Sequence, residues 1–113
     1  MNVTGTIASD LRAYLAENPG AVIEDVARQH GMSIRNFMRR FQAATGDKPL
    51  HYLQRLRIET AKGLLSSTRK SIKTISYEVG YDDASFFARL FRQHAELSPN
   101  QYRRQFQQKD YQG

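Results

Sequence analysis

The sequence predicts an all-α protein of about seven helices. Apolar residues recur at helical spacing along most of the chain, and no stretch shows the sustained alternation of apolar and polar residues that marks a strand. Serine, proline and glycine stand where helices would start and stop. Because the chain has 113 residues, these helices form one ordinary domain or two very small ones.

Three helices are predicted before residue 49. The first stops at residues 18–20, where a proline and a glycine break helical geometry. Its apolar face consists of Ile7, Leu11, Tyr14 and Leu15. A short second helix, with an apolar side of Ile23, Val26 and Ala27, ends at Gly31. Ser33 favours the start of a third helix, because its hydroxyl can accept a hydrogen bond from a free backbone N–H.

The longest helical pattern runs from Pro49 to about Ser66. One apolar stripe contains Leu53, Leu56 and Leu64, and a neighbouring stripe contains Ile58, Ala61 and Leu65. A helix ordinarily needs a single apolar stripe, so the doubled stripe predicts packing on two sides. Gly63 weakens such a helix by about 1 kcal/mol relative to alanine, and we expect it to be a tolerated surface glycine.

Three more helices are predicted after a loop at residues 66–68. Ser71 can cap a short helix that ends at Gly80, and the next helix starts at about Asp83. The run SPNQ at 98–101 is a complete capping box with proline at the first helical position. We expect a first subdomain at 1–48, a linker helix at 49–66, a second subdomain at 67–106 and a flexible polar tail at 107–113.

One supersecondary unit occurs twice in the chain. Gly31 aligns with Gly80 at an offset of 49 residues, and one extra residue in the second turn raises the offset to 50. At that offset the matched pairs are Phe37 and Phe87, Arg39 and Arg89, Phe41 and Phe91, Pro49 and Pro99, and Tyr52 and Tyr102. Each unit is a short helix, a glycine turn and a second helix. This is the layout of a helix-turn-helix DNA reader.

The helix after Ser33 has one apolar and one basic side. The apolar side consists of Ile34, Phe37, Phe41 and Ala44, and the opposite side of Arg35, Met38, Arg39 and Gln42. Long donors can reach guanine O6 and N7 in a major groove, and a thioether can make apolar contacts. A solvated charged surface would show the same pattern, so the second copy is the test.

The second copy again presents small or basic residues opposite its phenylalanines. Phe87 and Phe91 take the core positions, and the residues opposite them are Ser85, Ala88, Arg89 and Arg92. Phe86 lies on the flank, where it could touch a thymine methyl or a sugar, or be partly buried against the preceding helix. Residues 82 and 83 are aspartates at a helix start, which we interpret as capping groups and not as a catalytic pair.

Composition favours an anionic partner and argues against catalysis. Seventeen Lys and Arg against eleven Asp and Glu leave a net charge of +6, which is typical of proteins that bind nucleic acid or a membrane surface. The absence of cysteine excludes disulfides, thiolate-bound metals and thiol nucleophiles. The three histidines are scattered and no catalytic motif is present. We expect no enzymatic activity, no cofactor and no metal site.

The alternative function is a basic helical module that binds a partner or a membrane surface without reading DNA sequence. Such a module needs a free apolar face, whereas Phe37, Phe41, Phe87 and Phe91 are the residues that a small core would use. No apolar run approaches the roughly 18 residues of a spanning helix. We therefore expect a soluble, intracellular protein, for which the cytoplasm is an allowed location.

Five runs resemble the AraC/XylS family of bacterial transcription regulators. They are SIRNFMRRF (33–41), YLQRLRI (52–58), ISYEVGY (75–81), SFFARLF (85–91) and LSPNQYR (97–103). The resemblance covers residues from about 20 to 106, and its second half is the more specific. It implies two helix-turn-helix subdomains joined by a linker helix, with one helix of each in successive major grooves of double-stranded operator DNA.

The resemblance also implies roles for single residues and partners. Base-reading positions fall on Arg35, Met38 and Arg39 in the first subdomain and on Ala84, Ser85, Phe86 and Arg89 in the second. RNA polymerase is a further partner that it suggests for a regulator or activator. The runs PLHYLQRLR and VGYDD look like the branch in which an amidotransferase-like domain precedes the module. Many members of the family carry a further domain before this module, whereas others consist of the module alone, so the resemblance allows either a complete chain or a fragment. Of the two, we expect an N-terminal sensory or amidotransferase-like domain absent from this chain, which would then be a fragment.

Three cations are assigned to the DNA backbone, and two positions raise structural questions. Lys48 and Lys73 stand beside predicted helix starts and Arg92 on an outward face, which favours phosphate contacts. Glu96 stands where the family usually has glycine, which leaves the geometry of that helix end open. Arg57 matches a family arginine in the linker helix, and we expect it to bridge structural elements instead of contacting DNA.

Overall fold

The computed structural model describes residues 10–15, 17–18 and 20–107, and within these ranges it shows seven helices and no strand. The prediction of an all-α protein is confirmed. The first helix, α1, is described at residues 10–15 and 17. The others are α2 (Ile23–Gln29), α3 (Ile34–Thr45), α4 (Pro49–Ser67), α5 (Ile72–Glu78), α6 (Ala84–Ala95) and α7 (Pro99–Phe106).

The chain divides between Leu56 and Arg57 into two compact units, each with its own hydrophobic core. The buried residues of the first core are Leu11, Leu15, Ala21, Val26, Ala27, Phe37, Phe41 and Leu53. They come from α1, α2, α3 and the beginning of α4, with Ala21 from the segment between α1 and α2. Ile7 of the predicted first helix and Pro19 of its predicted stop lie outside the described residues.

The second core is built from the end of α4 together with α5, α6 and α7. Its buried residues are Ile58, Ala61, Leu65, Ile75, Val79, Phe87, Leu90 and Phe91, and Tyr102 of α7 packs against them. Each core therefore contains a pair of phenylalanines separated by one helical turn. Both pairs are fully buried, at 0% exposure, which makes them the largest apolar contributions to their units.

Helix α4 divides its apolar surface along its length. Leu53 is buried in the first core, whereas Ile58 and Leu65 are buried in the second. Leu64, which lies in the same predicted stripe as Leu53, packs against the second core. This stripe therefore contacts two cores, because α4 passes from the first unit to the second between Leu56 and Arg57.

The predicted helix starts are confirmed by hydrogen bonds to backbone N–H groups. The hydroxyls of Ser33, Ser71 and Ser98 each accept one from the residue three positions ahead. Asp83 Oδ1 accepts two, at 2.9 and 3.1 Å, which confirms it as a capping group. Ser98 also forms the predicted capping box with Gln101. Each cap of this kind stabilises a helix by about 1 kcal/mol.

Helix α4 continues through Ser66 and Ser67, so the prediction of a loop beginning at residue 66 is wrong. The hydroxyls of Ser66 and Ser67 both donate to the carbonyl oxygen of Gly63, at 3.1 and 2.6 Å. Serine hydroxyls can bond to the preceding helical turn as well as cap a helix, and sequence alone does not distinguish these uses. The loop therefore begins at Thr68.

The C-terminal end of α4 is held by side chains that follow in the second unit. Arg103 donates from Nε to the carbonyl oxygen of Leu65 and from Nη2 to that of Thr68, both at 3.3 Å. Gln107 Nε2 donates to the same Thr68 oxygen at 2.9 Å. The last carbonyl groups of a helix have no intrahelical partner, so these bonds supply one. Gln107, placed by the sequence in the tail, is thus hydrogen-bonded, and residues 108–113 lie outside the described residues.

Replacing Gly63 with alanine should stabilise the second unit by about 1 kcal/mol, because alanine has the higher helix propensity. Gly63 is exposed within α4, and a Cβ atom added there would meet nothing within 4 Å. Denaturant unfolding would measure the gain. Gly46→Ala is the control and should destabilise, because Gly46 has a φ of +78°. A loss of stability in Gly63→Ala would contradict the account.

Glu96 adopts the left-handed conformation that its glycine counterpart adopts in the first unit. Its φ is 64°, against 78° for Gly46 at the end of α3. Both residues donate their backbone N–H to the carbonyl oxygen four positions back, at 2.8 Å. The helix end therefore keeps its geometry without the glycine. A side chain in this conformation costs about 1–2 kcal/mol, so Glu96 is a strained position.

We expect Glu96→Gly to stabilise the second unit by about 0.5–1 kcal/mol, because glycine relieves the left-handed strain. The greater backbone freedom of glycine in the unfolded chain offsets part of this gain. Glu96→Ala is the matched variant, since it removes the charge but keeps the Cβ atom. The comparison of unfolding free energies between the two variants isolates the backbone effect. Equal stability of the glycine and alanine variants would show that the backbone at this position is not strained.

Candidate nucleic-acid interface

In α3, two buried phenylalanines determine which side of the helix faces outward. Phe37 and Phe41 are fully buried. Each position along a helix turns by about 100°, so the residues between and beside them face other directions. The exposed residues include Arg35, Met38, Arg39 and Gln42, as the sequence predicts. The expectation that Ile34 belongs to the apolar face is wrong, because its side chain is 41% exposed. It is the first residue of α3, beside the basic face.

Helix α6 repeats this arrangement with different outward residues. Phe87, Leu90 and Phe91 are buried. Of the predicted outward residues, Ser85, Arg89 and Arg92 are exposed, whereas Ala84 and Ala88 are half-buried. Phe86 is 41% exposed and its ring lies 5.8 Å from that of Tyr81. Phe86 is therefore partly buried against the turn before α6, and its contact with a thymine methyl or a sugar stays a prediction.

The two turns that precede α3 and α6 have the same hydrogen bonds. Gly31 and Gly80 have φ values of 65° and 102°, which only glycine adopts easily. After the first turn, the backbone N–H of Met32 donates to the carbonyl oxygen of Ala27 at 2.9 Å. After the second, Tyr81 donates to Ser76 at 2.9 Å. The matching bonds show that the sequence repeat corresponds to a repeated helix-turn-helix.

A ladder of three aromatic rings also recurs in both units. In the first, ring centroids are 5.8 Å apart for Phe37 and Phe41 and 5.3 Å apart for Phe41 and Tyr52. In the second, the corresponding separations among the rings of Phe87, Phe91 and Tyr102 are 5.9 and 5.5 Å. The tyrosine meets the second phenylalanine edge-on in each case, which is a favourable aromatic geometry. The ladder fixes α3 and α6 against the following helix of their own units.

The charge on α3 and α6 has a single sign. Neither helix contains an aspartate or a glutamate, whereas α3 carries three arginines and α6 carries two. Among the described residues, none of these arginines forms an ion pair. Several carboxylates elsewhere are paired with cations, such as Asp47 with Arg55 at 2.7 Å and Glu78 with Lys70 at 2.9 Å. The two outward faces are therefore uncompensated cationic surfaces that suit a polyanion.

The three cations assigned to the DNA backbone are all exposed. Lys48 directly precedes α4, Lys73 is the second residue of α5, and Arg92 lies in the last turn of α6. A lysine or arginine near a helix N-terminus adds to the positive end of the helix dipole, which favours an anion there. Lys48 and Lys73 fit this description, whereas Arg92 belongs to the outward side of α6.

Arg57 and Asn36, which were not assigned to bases, each contact another side chain. The guanidinium of Arg57 lies 5.0 Å from the ring centroid of Tyr81, which agrees with the bridging role expected for it. Asn36 was not singled out by the sequence, yet its Oδ1 accepts a hydrogen bond of 2.9 Å from Arg39 Nη2. The signal that could have revealed it is the spacing of three residues between an amide and an arginine on one helix.

A family model for a helix-turn-helix domain matches residues 26–105 of this chain. The match covers both helix-turn-helix units, and the chain belongs to the AraC/XylS family of transcription regulators. The resemblance found in the sequence is thereby confirmed. The chain is a DNA-binding domain of this family.

Relatives of known name are transcription regulators. The MmsAB operon regulatory protein of Pseudomonas aeruginosa is 37% identical over 100 residues, covering 87% of this chain and 33% of that protein. The transcriptional activator RhaS of Escherichia coli is 37% identical over 78 residues, covering 69% of this chain and 28% of RhaS. The chain thus spans about a third of the length of these curated relatives.

Solved structures show the same architecture. The C-terminal domain of AraT, a response regulator from Geobacillus stearothermophilus, is 31% identical with a TM-score of 0.86, covering 95% of this chain and 91% of that one. The DNA-binding domain of AdpA, solved in complex with a target DNA, is 28% identical with a TM-score of 0.79, covering 88% and 91%. Among the residues described here, no helix has the length and apolar character needed to cross a membrane.

Proposed function

We propose that this chain binds double-stranded operator DNA in a sequence-specific manner, with α3 and α6 each lying in a major groove. The observation that carries the proposal is the repeated helix with fully buried phenylalanines on one side and exposed arginines on the other. A helix of this kind presents long hydrogen-bond donors at the depth of the base edges. Because the two outward faces carry different residues, the site of one chain should be asymmetric.

The base-reading residues of the proposal are those predicted from the sequence. In α3 they are Arg35, Met38 and Arg39, and in α6 they are Ala84, Ser85, Phe86 and Arg89. Half-burial of Ala84 leaves it a small contact at most, whereas the exposed Ser85 and Arg89 offer polar groups. Arginine is suited to guanine, because its planar fork can donate two parallel hydrogen bonds to O6 and N7.

The alternative of a membrane-surface module is disfavoured by burial. A helix that lies on a bilayer needs its large apolar side chains free to enter lipid. The phenylalanines of α3 and α6 that would do this, apart from Phe86, are at 0% exposure within their cores. The exposed basic faces remain available to a polyanion, and the AdpA neighbour was solved with DNA.

The wider setting of the protein is also part of the proposal. We propose that it acts in the bacterial cytoplasm, on the nucleoid, as a regulator or activator of transcription. RNA polymerase as a partner is supported by the description of RhaS as a transcriptional activator. An N-terminal sensory or amidotransferase-like domain stays a prediction from the resemblance, and the relatives are about three times as long as the stretch they share with this chain.

Arg39→Ala and Arg89→Ala should each weaken binding to the selected operator by about 1–3 kcal/mol and relax base preference in one part of the site only. The operator would first be selected from random duplexes with the unmodified chain. Affinity would then be measured on the operator and on duplexes with each base pair replaced. Arg40→Ala is the matched control, because it removes an exposed arginine of α3 that is not assigned to a base, and it should leave the base preferences unchanged.

Two results would contradict these assignments. If an arginine variant weakened all duplexes equally, that arginine would be a phosphate contact and not a base reader. If the unmodified chain selected no sequence from the random pool and bound anionic vesicles instead, the proposed function itself would be wrong.

Removing Lys48, Lys73 or Arg92 should lower affinity for every duplex to a similar degree, because phosphate contacts carry no sequence information. Each substitution by alanine should also reduce the slope of log affinity against log salt concentration by about one, as one fewer counterion is released. The measurement is a salt titration on operator and unrelated DNA. Unchanged slopes in all three variants would remove these residues from the interface.

A further inference from the structure

The inference concerns Asn36, which lies three residues before the proposed base reader Arg39 in α3. Asn36 Oδ1 accepts a hydrogen bond from Arg39 Nη2 at 2.9 Å. The backbone of Asn36 belongs to the capped start of α3, because its N–H donates to the hydroxyl of Ser33 at 3.2 Å. The arginine head group is therefore tied to the capped first turn of its own helix.

Such a restraint matters for an arginine that reads bases. The guanidinium has five N–H donors in a fixed plane, so one donor can bond to Asn36 while others stay available to a guanine. A free arginine loses rotamer entropy when it is immobilised against DNA, at a cost of about 0.5–1.5 kcal/mol. An arginine that is already restrained loses less on binding and tolerates fewer alternative orientations.

The second unit lacks this device. Arg89 of α6 stands at the position equivalent to Arg39, and Phe86 stands at the position equivalent to Asn36. The Phe86 side chain has no hydrogen-bond acceptor and packs on the ring of Tyr81. Among the described residues, Arg89 has neither a hydrogen bond nor an ion pair from its side chain. The two arginines thus differ in restraint although they occupy matching positions.

We propose that Asn36 is a positioning residue that determines specificity at the first subsite, by holding the Arg39 guanidinium in the orientation that reads a guanine. The proposal rests on the proposed function, because it needs Arg39 to read a base. It makes the subsite of α3 the stringent one. The subsite of α6, where Arg89 can adopt several orientations, tolerates base changes more readily.

The test is a double-mutant cycle with Asn36→Ala, Arg39→Ala and the double variant on the selected operator. Asn36→Ala should weaken binding to the operator by about 2- to 12-fold, the entropic cost of one immobilised side chain expressed as affinity. It should also reduce the ratio of affinities for the operator and for a duplex with the Arg39 guanine replaced. In the Arg39→Ala background the same substitution should have no further effect on either quantity.

A conservative variant separates positioning from a merely structural role. Asn36→Asp keeps an oxygen acceptor for Arg39 and adds a negative charge, so it should bind every duplex more weakly yet retain the base preference at the first subsite. Denaturant unfolding checks that the variants fold. A simple loss of helix stability would lower affinity in all variants without changing the preference ratio, and that result would overturn the proposal.

The remaining outcomes distinguish this inference from the proposed function. If Arg39→Ala changes the preference at one subsite and Asn36→Ala does not, the positioning role is wrong and the base-reading role stands. If Asn36→Ala weakens binding equally with and without Arg39, Asn36 contacts DNA by itself and the positioning role is again wrong. If Arg39→Ala leaves all preferences unchanged, Arg39 is not a base reader and both proposals fail for this helix.

Discussion

The burial of two phenylalanines on each of α3 and α6 is the constraint on which the rest of the structure depends. Phe37 and Phe41 are one turn apart and both at 0% exposure, so α3 cannot rotate about its axis without exposing an aromatic ring. Arg39 follows Phe37 by two positions, about 200° around the helix, and is therefore held outward. The same relation places Arg89 outward on α6.

The two units share this constraint but differ in what they present. Their aromatic ladders, turn hydrogen bonds and left-handed helix ends match closely, even where Glu96 replaces the glycine. Their outward faces are free to differ, because exposed residues contribute little to the cores. One face carries an arginine restrained by Asn36, and the other carries an unrestrained Arg89 beside Phe86. A repeated scaffold with unlike faces is suited to an asymmetric DNA site.

Sequence patterns predicted whatever depends on local chemistry. The caps at Ser33, Ser71, Asp83 and Ser98 were identifiable because a side chain bonds to its own backbone within three residues. What depends on tertiary contacts was not identifiable, such as the exposure of Ile34 and the core to which Leu64 belongs. The continuation of α4 to Ser67 was missed because a serine hydroxyl can bond to the preceding helical turn as well as cap a helix. The bond between Asn36 and Arg39 was missed for another reason, since many rotamers satisfy the same spacing.

The measurement that tests the central claim most directly is methylation protection of the selected operator by dimethyl sulfate. This reagent attacks N7 of guanine in the major groove and N3 of adenine in the minor groove. The account predicts protection of guanine N7 in two separate subsites, with Arg39→Ala losing protection in one and Arg89→Ala in the other. Protection confined to adenine N3, or guanine N7 reactivity that the protein leaves unchanged, would contradict the claim that the buried phenylalanines direct these arginines into major grooves.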